Sequence, residues 1–295
     1  MRTVHLAAVL LSFCLTSFSL VAQEADRFRP FVLAETAQAP LDAKLQTVKA
    51  ALAGAGFSIA GEYAPYAGAQ ILIITDESLR EQAAASPTGG YGAALRVSLT
   101  EQGGGVVQVS YTDPQWMGNV YRMAGEFATL SSRLQTALGR EKTFGSGGGR
   151  TVENLREYHY MMFMPYFDDQ VELASYDSHQ TALDAVEAGL AAGKGGVSKI
   201  SRIDVIGKEE TLFNVAIKEG VGADVPVMQV IDQAEMRHTA HLPYDLLVSG
   251  SKVYMLHGKF RIAQSFPDLT MTTFMKISDA PDAIEASLKM AAGGE

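Results

Sequence analysis

The sequence is short of cysteine, because Cys14 is the only one in 295 residues. Cys14 lies in an N-terminal apolar run that we expect to be removed, which would leave neither a thiol nor a disulfide. A disulfide framework and a cysteine-ligated metal are therefore excluded as sources of stability. The chain is long enough to bury a sizeable hydrophobic core instead, in one large domain or in two of ordinary size.

Basic residues are also few, and the sequence contains no basic cluster. Lys and Arg number 24 against 33 Asp and Glu, which gives a formal net charge of −9. A chain this acidic is a poor match for nucleic acid or for an anionic lipid surface, whose phosphates repel it. We therefore expect no nucleic-acid partner.

Sequence signatures of catalysis are missing as well. There is no Gly-x-Ser-x-Gly elbow, no cysteine nucleophile beyond the N-terminal run, and no Cys-x-x-Cys-His for covalent haem attachment. The sequence predicts no catalytic residue and no bound cofactor. An enzyme without a recognisable signature therefore ranks last among the interpretations.

The N-terminal segment has the pattern of a secretory signal peptide. Arg2 is followed by an apolar run from Leu6 to Val21 and then by Ala22, after which the chain turns polar. This run is shorter than a comfortable membrane span. We expect cleavage near Ala22 and a soluble periplasmic protein, since no later stretch is long and apolar enough to span a bilayer.

Two parts of the remaining chain resemble each other. The stretch "FVLAE" (31–35) is similar to "VELAS" (171–175), and each precedes a predicted amphipathic helix. The two helices have identical apolar spacing, at Leu45, Val48 and Leu52 in one copy and at Leu183, Val186 and Leu190 in the other. The common order of these features predicts an internal duplication.

A second set of matches suggests how the copies align. Asp76 and Pro87 are separated by the same number of residues as Asp232 and Pro243. This spacing predicts that Asp76 superposes on Asp232 and that Pro87 superposes on Pro243. It also predicts that a strand precedes each of the two aspartates.

Each copy is expected to run strand, helix, two strands, helix, two strands, helix. The predicted fold class is α+β, with two similar tandem modules related by a pseudo-two-fold axis. Residues 23–143 form the first module and residues 170–295 form the second. Residues 144–169 supply a flexible glycine-rich linker, "FGSGGGR", and a segment rich in aromatic residues and methionine.

The stretch "AHLPYDLLVSGSKVYML" (240–256) supports a family resemblance. With the segments around it, the stretch resembles the domain-of-unknown-function 302 family, in which a helix, strands, an Asp-containing turn and a helix precede a Leu-Pro element and a final hairpin. Two tandem copies would cover most of the chain. The first copy departs from the pattern, with Ser86 and Pro87 followed by a glycine-rich stretch. The resemblance implies a fold and no agreed chemistry.

The segment "YHYMMFMPYF" (158–167) is the most unusual in composition. Methionine fills irregular apolar space well, so the segment suits the space between two modules. Aromatic and thioether side chains also suit the lining of a small-molecule site. The candidate ligand-binding residues are His159, Tyr160, Met164 and Tyr166.

A pair of histidines, His238 and His241, is the candidate metal site. Residues three apart share one face of a helix, and imidazole together with thioether would suit copper or a haem iron. A further ligand would be needed, and Met236, His257 and His159 are the choices. An exposed helix end is the alternative, because histidine there interacts well with the helix dipole.

The sequence thus favours an exported, non-catalytic protein that binds a small molecule or a protein partner in the groove between its two modules. The alternative is a periplasmic metal- or haem-handling protein that uses His238, His241 and the aromatic and methionine-rich segment.

Overall fold

The computed structural model describes residues 26–294, which form a mixture of α-helices and two antiparallel sheets. The predicted signal segment, residues 1–22, lies outside the described residues. The predicted α+β class is confirmed. Within residues 26–294, no helix has both the length and the apolar character needed to cross a membrane.

The first sheet has six strands in the order β2-β3-β4-β5-β1-β6. Its strands are β1 (Phe31–Gln38), β2 (Ser58–Tyr63), β3 (Ala69–Thr75), β4 (Leu95–Glu101), β5 (Val106–Thr112) and β6 (Lys142–Phe144). The stretch "ALRVSLTEQGGGVVQVSYT" (94–112) predicts two strands around a glycine-rich hairpin, and this is confirmed because β4 and β5 pair antiparallel across residues 102–105.

The second sheet has five strands in the order β7-β11-β10-β9-β8. Its strands are β7 (Val171–Ser175), β8 (Val197–Asp204), β9 (Glu210–Ile217), β10 (Tyr244–Ser249) and β11 (Lys252–Met255). In the first sheet, β1 to β5 lie side by side in the order β2-β3-β4-β5-β1. Read from its other edge, the second sheet has the corresponding order β8-β9-β10-β11-β7. The stretches "SKISRIDVI" (198–206) and "TLFNVAIK" (211–218), joined by "GKEE", predict two longer strands, and these are β8 and β9.

Helices follow the first, third and fifth strands of each sheet in chain order, and one more follows β6, which has no counterpart in the second sheet. They are α1 (Leu41–Gly54), α2 (Glu77–Ala84), α3 (Pro114–Val120), α4 (Ala128–Leu138), α5 (Val152–Arg156), α6 (His179–Ala191), α7 (Asp224–Ile231), α8 (Gly258–Ser265), α9 (Met271–Phe274) and α10 (Ala280–Ala291). Single 3₁₀ turns lie at Gly89–Gly92, Lys194–Gly196, Thr239–His241 and Met275–Ile277.

The two predicted amphipathic helices are confirmed as α1 and α6. Leu45, Val48 and Leu52 are buried on α1, as are Leu183, Val186 and Leu190 on α6. Residues at these spacings lie on one helical face, so each helix covers its sheet with one apolar stripe. The Ser178 hydroxyl accepts a hydrogen bond from Thr181 N and fixes the start of α6.

The prediction of a strand before Asp232 is wrong, because the apolar stretch there forms helix α7. Asp224, Val227, Met228 and Ile231 are its buried residues. Counted from Asp224, the other three follow at intervals of three, four and seven residues, which places all four on one face of a helix. The run of β-branched residues resembled a buried strand, and packing against the core decided the outcome.

The residue alignment drawn from the Asp and Pro spacing is therefore also wrong. Asp76 is the N-cap of α2 and accepts from Leu79 N, whereas Asp232 directly follows the C-terminus of α7. Pro87 lies before the 3₁₀ turn at Gly89–Gly92, whereas Pro243 lies after the turn at Thr239–His241. The equal spacing pairs residues that occupy different positions in the two halves.

The glycine-rich segment is not the free linker that its composition suggested. The Arg29 guanidinium donates to the Ser146 carbonyl at 2.7 Å and to the Gly147 carbonyl at 3.2 Å. Phe28 and Arg150 form an antiparallel bridge. Gly145 and Gly149 have positive φ, which glycine adopts without strain, and this lets the segment fold back against residues 27–29.

The two halves share one hydrophobic core, since a single cluster of buried side chains includes residues from both sheets. The turn at Gly89–Gly92 lies against β9 and β10, and the turn at Thr239–His241 lies against β3 and β4. Gly90 N donates to Glu210 Oε2 at 2.9 Å, and Thr100 Oγ1 lies 2.8 Å from Thr239 Oγ1. Each half therefore places its 3₁₀ turn on the sheet of the other.

The sheets also meet where β2 crosses β8. A Cβ atom at Gly61 of β2 would lie 2.5 Å from Ile200 O and 2.9 Å from Ser201 Cβ, both of β8. Only glycine permits this close approach of two backbones.

We expect Gly61→Ala to destabilise the protein by about 1–3 kcal/mol, because the added methyl group must push β2 away from β8. Gly54→Ala is the matched control, since a Cβ atom at that position would contact nothing. It should be neutral or stabilising, by up to about 1 kcal/mol. Urea denaturation of both variants measures the difference, and equal effects would contradict the close packing of β2 on β8.

Candidate functional site

Two guanidinium groups and one carboxylate lie buried together between the two sheets. Arg96 of β4, Asp245 of β10 and Arg261 of α8 are 2%, 4% and 2% exposed. Arg96 Nη2 donates to Asp245 Oδ1 at 2.6 Å and to Oδ2 at 2.7 Å, and Arg261 Nε lies 3.4 Å from Asp245 Oδ2. The three residues, called the ion cluster below, link the two sheets and helix α8.

Hydrogen bonds hold the Asp245 carboxylate from the side of the second sheet as well. Asn214 Nδ2 of β9 donates to Asp245 Oδ1 at 2.5 Å, and Asn214 Oδ1 accepts from Ser201 Oγ of β8 at 2.6 Å. A buried charge is tolerated when it is paired and hydrogen-bonded in this way. The carboxylate is therefore bonded directly from β4, β9 and α8, and β8 supports it indirectly through Asn214.

His241 lies inside this network and is fully buried, so the expectation of an exposed helix end is wrong. Arg261 Nη1 donates to His241 Nδ1 at 3.0 Å, and His241 Nε2 lies 3.3 Å from Tyr244 Oη. Because arginine can only donate, Nδ1 is the acceptor and the proton lies on Nε2. Burial, together with the charges of Arg261 and Arg96, holds the pKa of His241 well below its usual value.

His238 precedes the same 3₁₀ turn and has the opposite tautomer. Its Nδ1 lies 3.0 Å from the Ser265 carbonyl, so Nδ1 carries the proton and Nε2 keeps its lone pair. Burial lowers the pKa of His238, although the charge of Asp232 opposes the shift. Both imidazoles contact Phe266, with ring centroids 4.7 Å away for His238 and 5.3 Å away for His241.

The two histidines therefore lie on a turn held in the core and not on a helix face. The reason is Asp232, whose Oδ1 accepts from His238 N at 2.8 Å and so folds residues 232–238 into a tight loop. Among the described residues, no group of three or more His, Cys, Asp or Glu side chains is arranged to hold a metal ion.

A wide groove of about 1100 Å³ opens beside His238, between the N-terminal and C-terminal halves of the chain. The edge strand β6 and the glycine-rich segment form one wall. The other wall consists of the end of α7, the loop that follows it and residues 266–276. Apolar side chains that line it are Phe144, Met236, Phe266 and Leu269.

Charged residues line the same groove. Arg29, Lys142 and Lys276 supply three positive charges, whereas Glu235 and Asp268 supply two negative charges. The groove therefore carries a local charge of +1 within a chain whose formal net charge is −9. Asp268 Oδ2 also accepts from Gly147 N at 2.6 Å, which connects the two walls.

The structure separates the four candidate ligand-binding residues into two pairs. Tyr160 and Met164 line a small apolar pocket beside α8, together with Phe266, Leu269 and Phe274. His159 and Tyr166 lie outside that lining and pack against each other, with ring centroids 4.4 Å apart. Phe266 and Leu269 line both this pocket and the groove, so Tyr160 and Met164 are neighbours of the groove.

The ion cluster was not recognised from the sequence. Arg96 and Asp245 each stand second in a largely buried strand and are flanked by apolar or aromatic residues on both sides, within "LRVSL" and "YDLLV". A charge inside a buried strand needs a partner of opposite sign, so each of the two could have been marked from the sequence as a residue that requires a buried partner. Arg261, on a helix of mixed composition, gave no such signal.

A second buried pair joins the two halves of the chain. Tyr63 Oη of β2 donates to Asp224 Oδ2 of α7 at 2.5 Å, and Ile217 N donates to the same oxygen at 3.1 Å. Burial raises the pKa of Asp224 to about 7, in spite of these two hydrogen bonds. Asp224 therefore gains its charge near neutral pH.

Comparison with known proteins finds no family model that matches this chain, no matching curated protein and no matching solved structure. The resemblance to the domain-of-unknown-function 302 family stays a prediction.

The raised pKa of Asp224 predicts a pH-dependent gain in stability for Asp224→Asn. The unfolded carboxyl loses its proton near pH 4 and the folded one near pH 7, so the wild-type protein loses stability as pH rises between these values. The amide does not titrate. The free energy of unfolding of Asp224→Asn, relative to that of wild type, should therefore rise between pH 4 and pH 8 by on the order of 2–4 kcal/mol.

Urea denaturation at pH 5, 6, 7 and 8 measures this difference. Asp42→Asn, at an exposed position in the first turn of α1, is the control and should follow the wild-type profile. A constant difference between Asp224→Asn and wild type across this range would show that Asp224 is charged throughout.

Proposed function

We propose that this protein binds a small amphipathic molecule of negative charge in the groove between its two modules and performs no chemistry on it. The observation that carries the proposal is the groove itself, about 1100 Å³ in volume and lined from both modules. Ligand sites are typically concave, mostly apolar and supplied with a few polar groups, and they favour domain interfaces. A groove of this size suits a ligand at least as large as a typical drug molecule.

The chemistry of the lining supports the choice of ligand. Phe144, Met236, Phe266 and Leu269 offer apolar contact, and methionine adapts to irregular shapes. Lys142 and Lys276 are exposed at the rim and would attract an anionic group. The neutral His238, with its Nε2 lone pair, would accept one hydrogen bond from the bound molecule.

The proposal includes a pseudo-two-fold relation between the modules. Three observations support it: the matching strand order of the sheets, the matching element order, and the 3₁₀ turns that each half places on the sheet of the other. Arg96 and Asp245, which pair across the interface, both stand second in the corresponding strands β4 and β10. The proposal also retains export to the periplasm, on the sequence of residues 1–22.

The apolar anion 8-anilinonaphthalene-1-sulfonate is a suitable probe, because its fluorescence rises when it leaves water. We expect wild-type protein to bind it at one saturable site. Met236→Glu should weaken binding at least tenfold, since the change replaces an apolar contact in the groove with a negative charge.

Met290→Glu is the matched control, because Met290 is 49% exposed on α10 and does not line the groove. It should bind the probe as wild type does. Equal loss in both variants, or no loss in either, would contradict a site in this groove.

A further inference from the structure

One wall of the groove is a free edge of the first sheet. Strand β6 stands last in that sheet and pairs with β1 alone among the described strands. All three of its residues, Lys142, Thr143 and Phe144, line the groove in succession. Successive side chains of a strand point to opposite faces, so a groove against one face would be lined by alternate residues. The unbroken run indicates that the groove follows the edge of β6.

An edge strand offers backbone groups to a further strand. In an antiparallel pair, the N–H and C=O groups of alternate residues point toward the partner strand, and those of the residues between them point away. The groups of β6 that point away from β1 have no strand partner within residues 26–294. A free edge of this kind is a template for an extended chain, which pairs with it through the same hydrogen bonds.

The other wall of the groove suits the side chains of such a chain. Met236, Phe266 and Leu269 give that wall an apolar part. An extended peptide presents successive side chains to two opposite sides. A peptide with an apolar residue at every second position can therefore turn those residues to one side of the groove while its backbone pairs with β6.

The charges of the lining favour an acidic occupant. Arg29 and Asp268 are opposite in sign, and both bond to the backbone of the glycine-rich segment. The other charged residues of the lining are the exposed Lys142 and Lys276 and one exposed carboxylate, that of Glu235. Two lysines against one glutamate leave +1, and the opposite charges of Arg29 and Asp268 do not change this sum.

Two further carboxylates stand close to the lining in the chain, and both are bonded to other groups. Glu141 Oε1 accepts from Thr36 N at 3.2 Å, and Asp232 Oδ2 lies 3.2 Å from Arg237 Nε. The lysines of the lining are therefore the groups that attract a charged side chain into the groove.

We propose that the occupant of the groove is a short extended peptide with acidic side chains, which adds to the free edge of β6 as a seventh strand of the first sheet. This inference rests on the proposed function and names the class of its ligand. Backbone hydrogen bonds to β6 supply affinity for any extended chain, whereas the apolar wall and the two lysines select alternate apolar residues and acidic ones.

The peptide acetyl-ELTLE-amide is a suitable probe, because it alternates leucine with polar residues and carries two negative charges. We expect it to displace 8-anilinonaphthalene-1-sulfonate from the groove and to slow amide hydrogen exchange at residues 142–144. The isomer acetyl-ELLTE-amide should bind at least about tenfold less tightly, since its leucines point to opposite sides and one of them leaves the apolar wall.

Methylation of backbone nitrogens tests the pairing with β6 directly, because it removes donors without changing side chains or charge. One peptide is methylated at its second and fourth residues, and another at its third and fifth. Only one pattern removes the N–H groups that face β6, and that peptide should bind at least about tenfold less tightly than the other. Equal binding of the two methylated peptides would overturn the proposal.

The double variant Lys142→Glu and Lys276→Glu tests the choice of an acidic peptide. It should bind acetyl-ELTLE-amide at least about tenfold less tightly at low salt, and the difference should shrink as salt screens the charges. The control is Lys194→Glu with Lys218→Glu, which makes the same change of charge at exposed positions outside the lining. Equal losses in the two double variants would contradict recognition by the groove lysines.

Failure of this inference and failure of the proposed function give different results. If the sulfonate probe binds in a way that Met236→Glu abolishes, but acetyl-ELTLE-amide neither displaces it nor slows exchange at residues 142–144, the groove binds small molecules and the peptide proposal alone is overturned. If the sulfonate probe does not bind in the groove, the proposed function is overturned and the peptide proposal with it.

Discussion

The buried carboxylate of Asp245 is the interaction on which the rest of the structure depends. It joins Arg96 from the first sheet to Arg261 from helix α8, in a place where each of the three is almost fully withdrawn from water. Withdrawing each of these charges from water costs several kcal/mol. The attraction between the charges offsets that cost only if the ion-pair geometry is good and the remaining polar atoms are hydrogen-bonded. The ion pair therefore holds the two sheets in this relative arrangement, because separating Arg96 from Asp245 would leave a buried charge without its closest partner.

The same network shapes the groove. Arg261 Nη2 donates to the carbonyl groups of His241 and Pro243, and Arg96 Nη2 also donates to the Pro243 carbonyl at 3.2 Å. These bonds fix the chain just after His238, while Asp232 fixes it just before. His238 and its neighbour Phe266 thus stand at the groove as rigid residues, which suits a site that binds by preorganisation.

Much of the fold could be predicted from the sequence. Helices α1 and α6, the hairpin of β4 and β5, and the strands β8 and β9 all followed from local patterns of apolar residues, turns and caps. Helix α7 did not, because its β-branched residues favour a strand and only the packing of Asp224, Val227 and Ile231 on the core reveals the helical spacing.

The candidate site was harder to predict, because its members are far apart in the chain. Arg96 and Asp245 are 149 residues apart, and only the fold brings them together. The histidine pair was visible in the sequence, yet its surroundings were not. The burial of His241 against Arg261 and Tyr244 depends on the loop that Asp232 closes, and sequence spacing alone does not contain that loop.

A double-mutant cycle on Arg96 and Asp245, followed by urea denaturation, tests the central role of the ion cluster most directly. Arg96→Met and Asp245→Leu should each cost about 3–5 kcal/mol, because the first leaves Asp245 with only the more distant Arg261 as a cation and the second leaves two buried guanidinium groups without a carboxylate. The double variant should cost less than the sum by at least about 2 kcal/mol, in a single transition. The exposed pair Lys252 and Glu172 is the control, with a coupling of at most about 1 kcal/mol. Additive effects of Arg96→Met and Asp245→Leu would contradict the account.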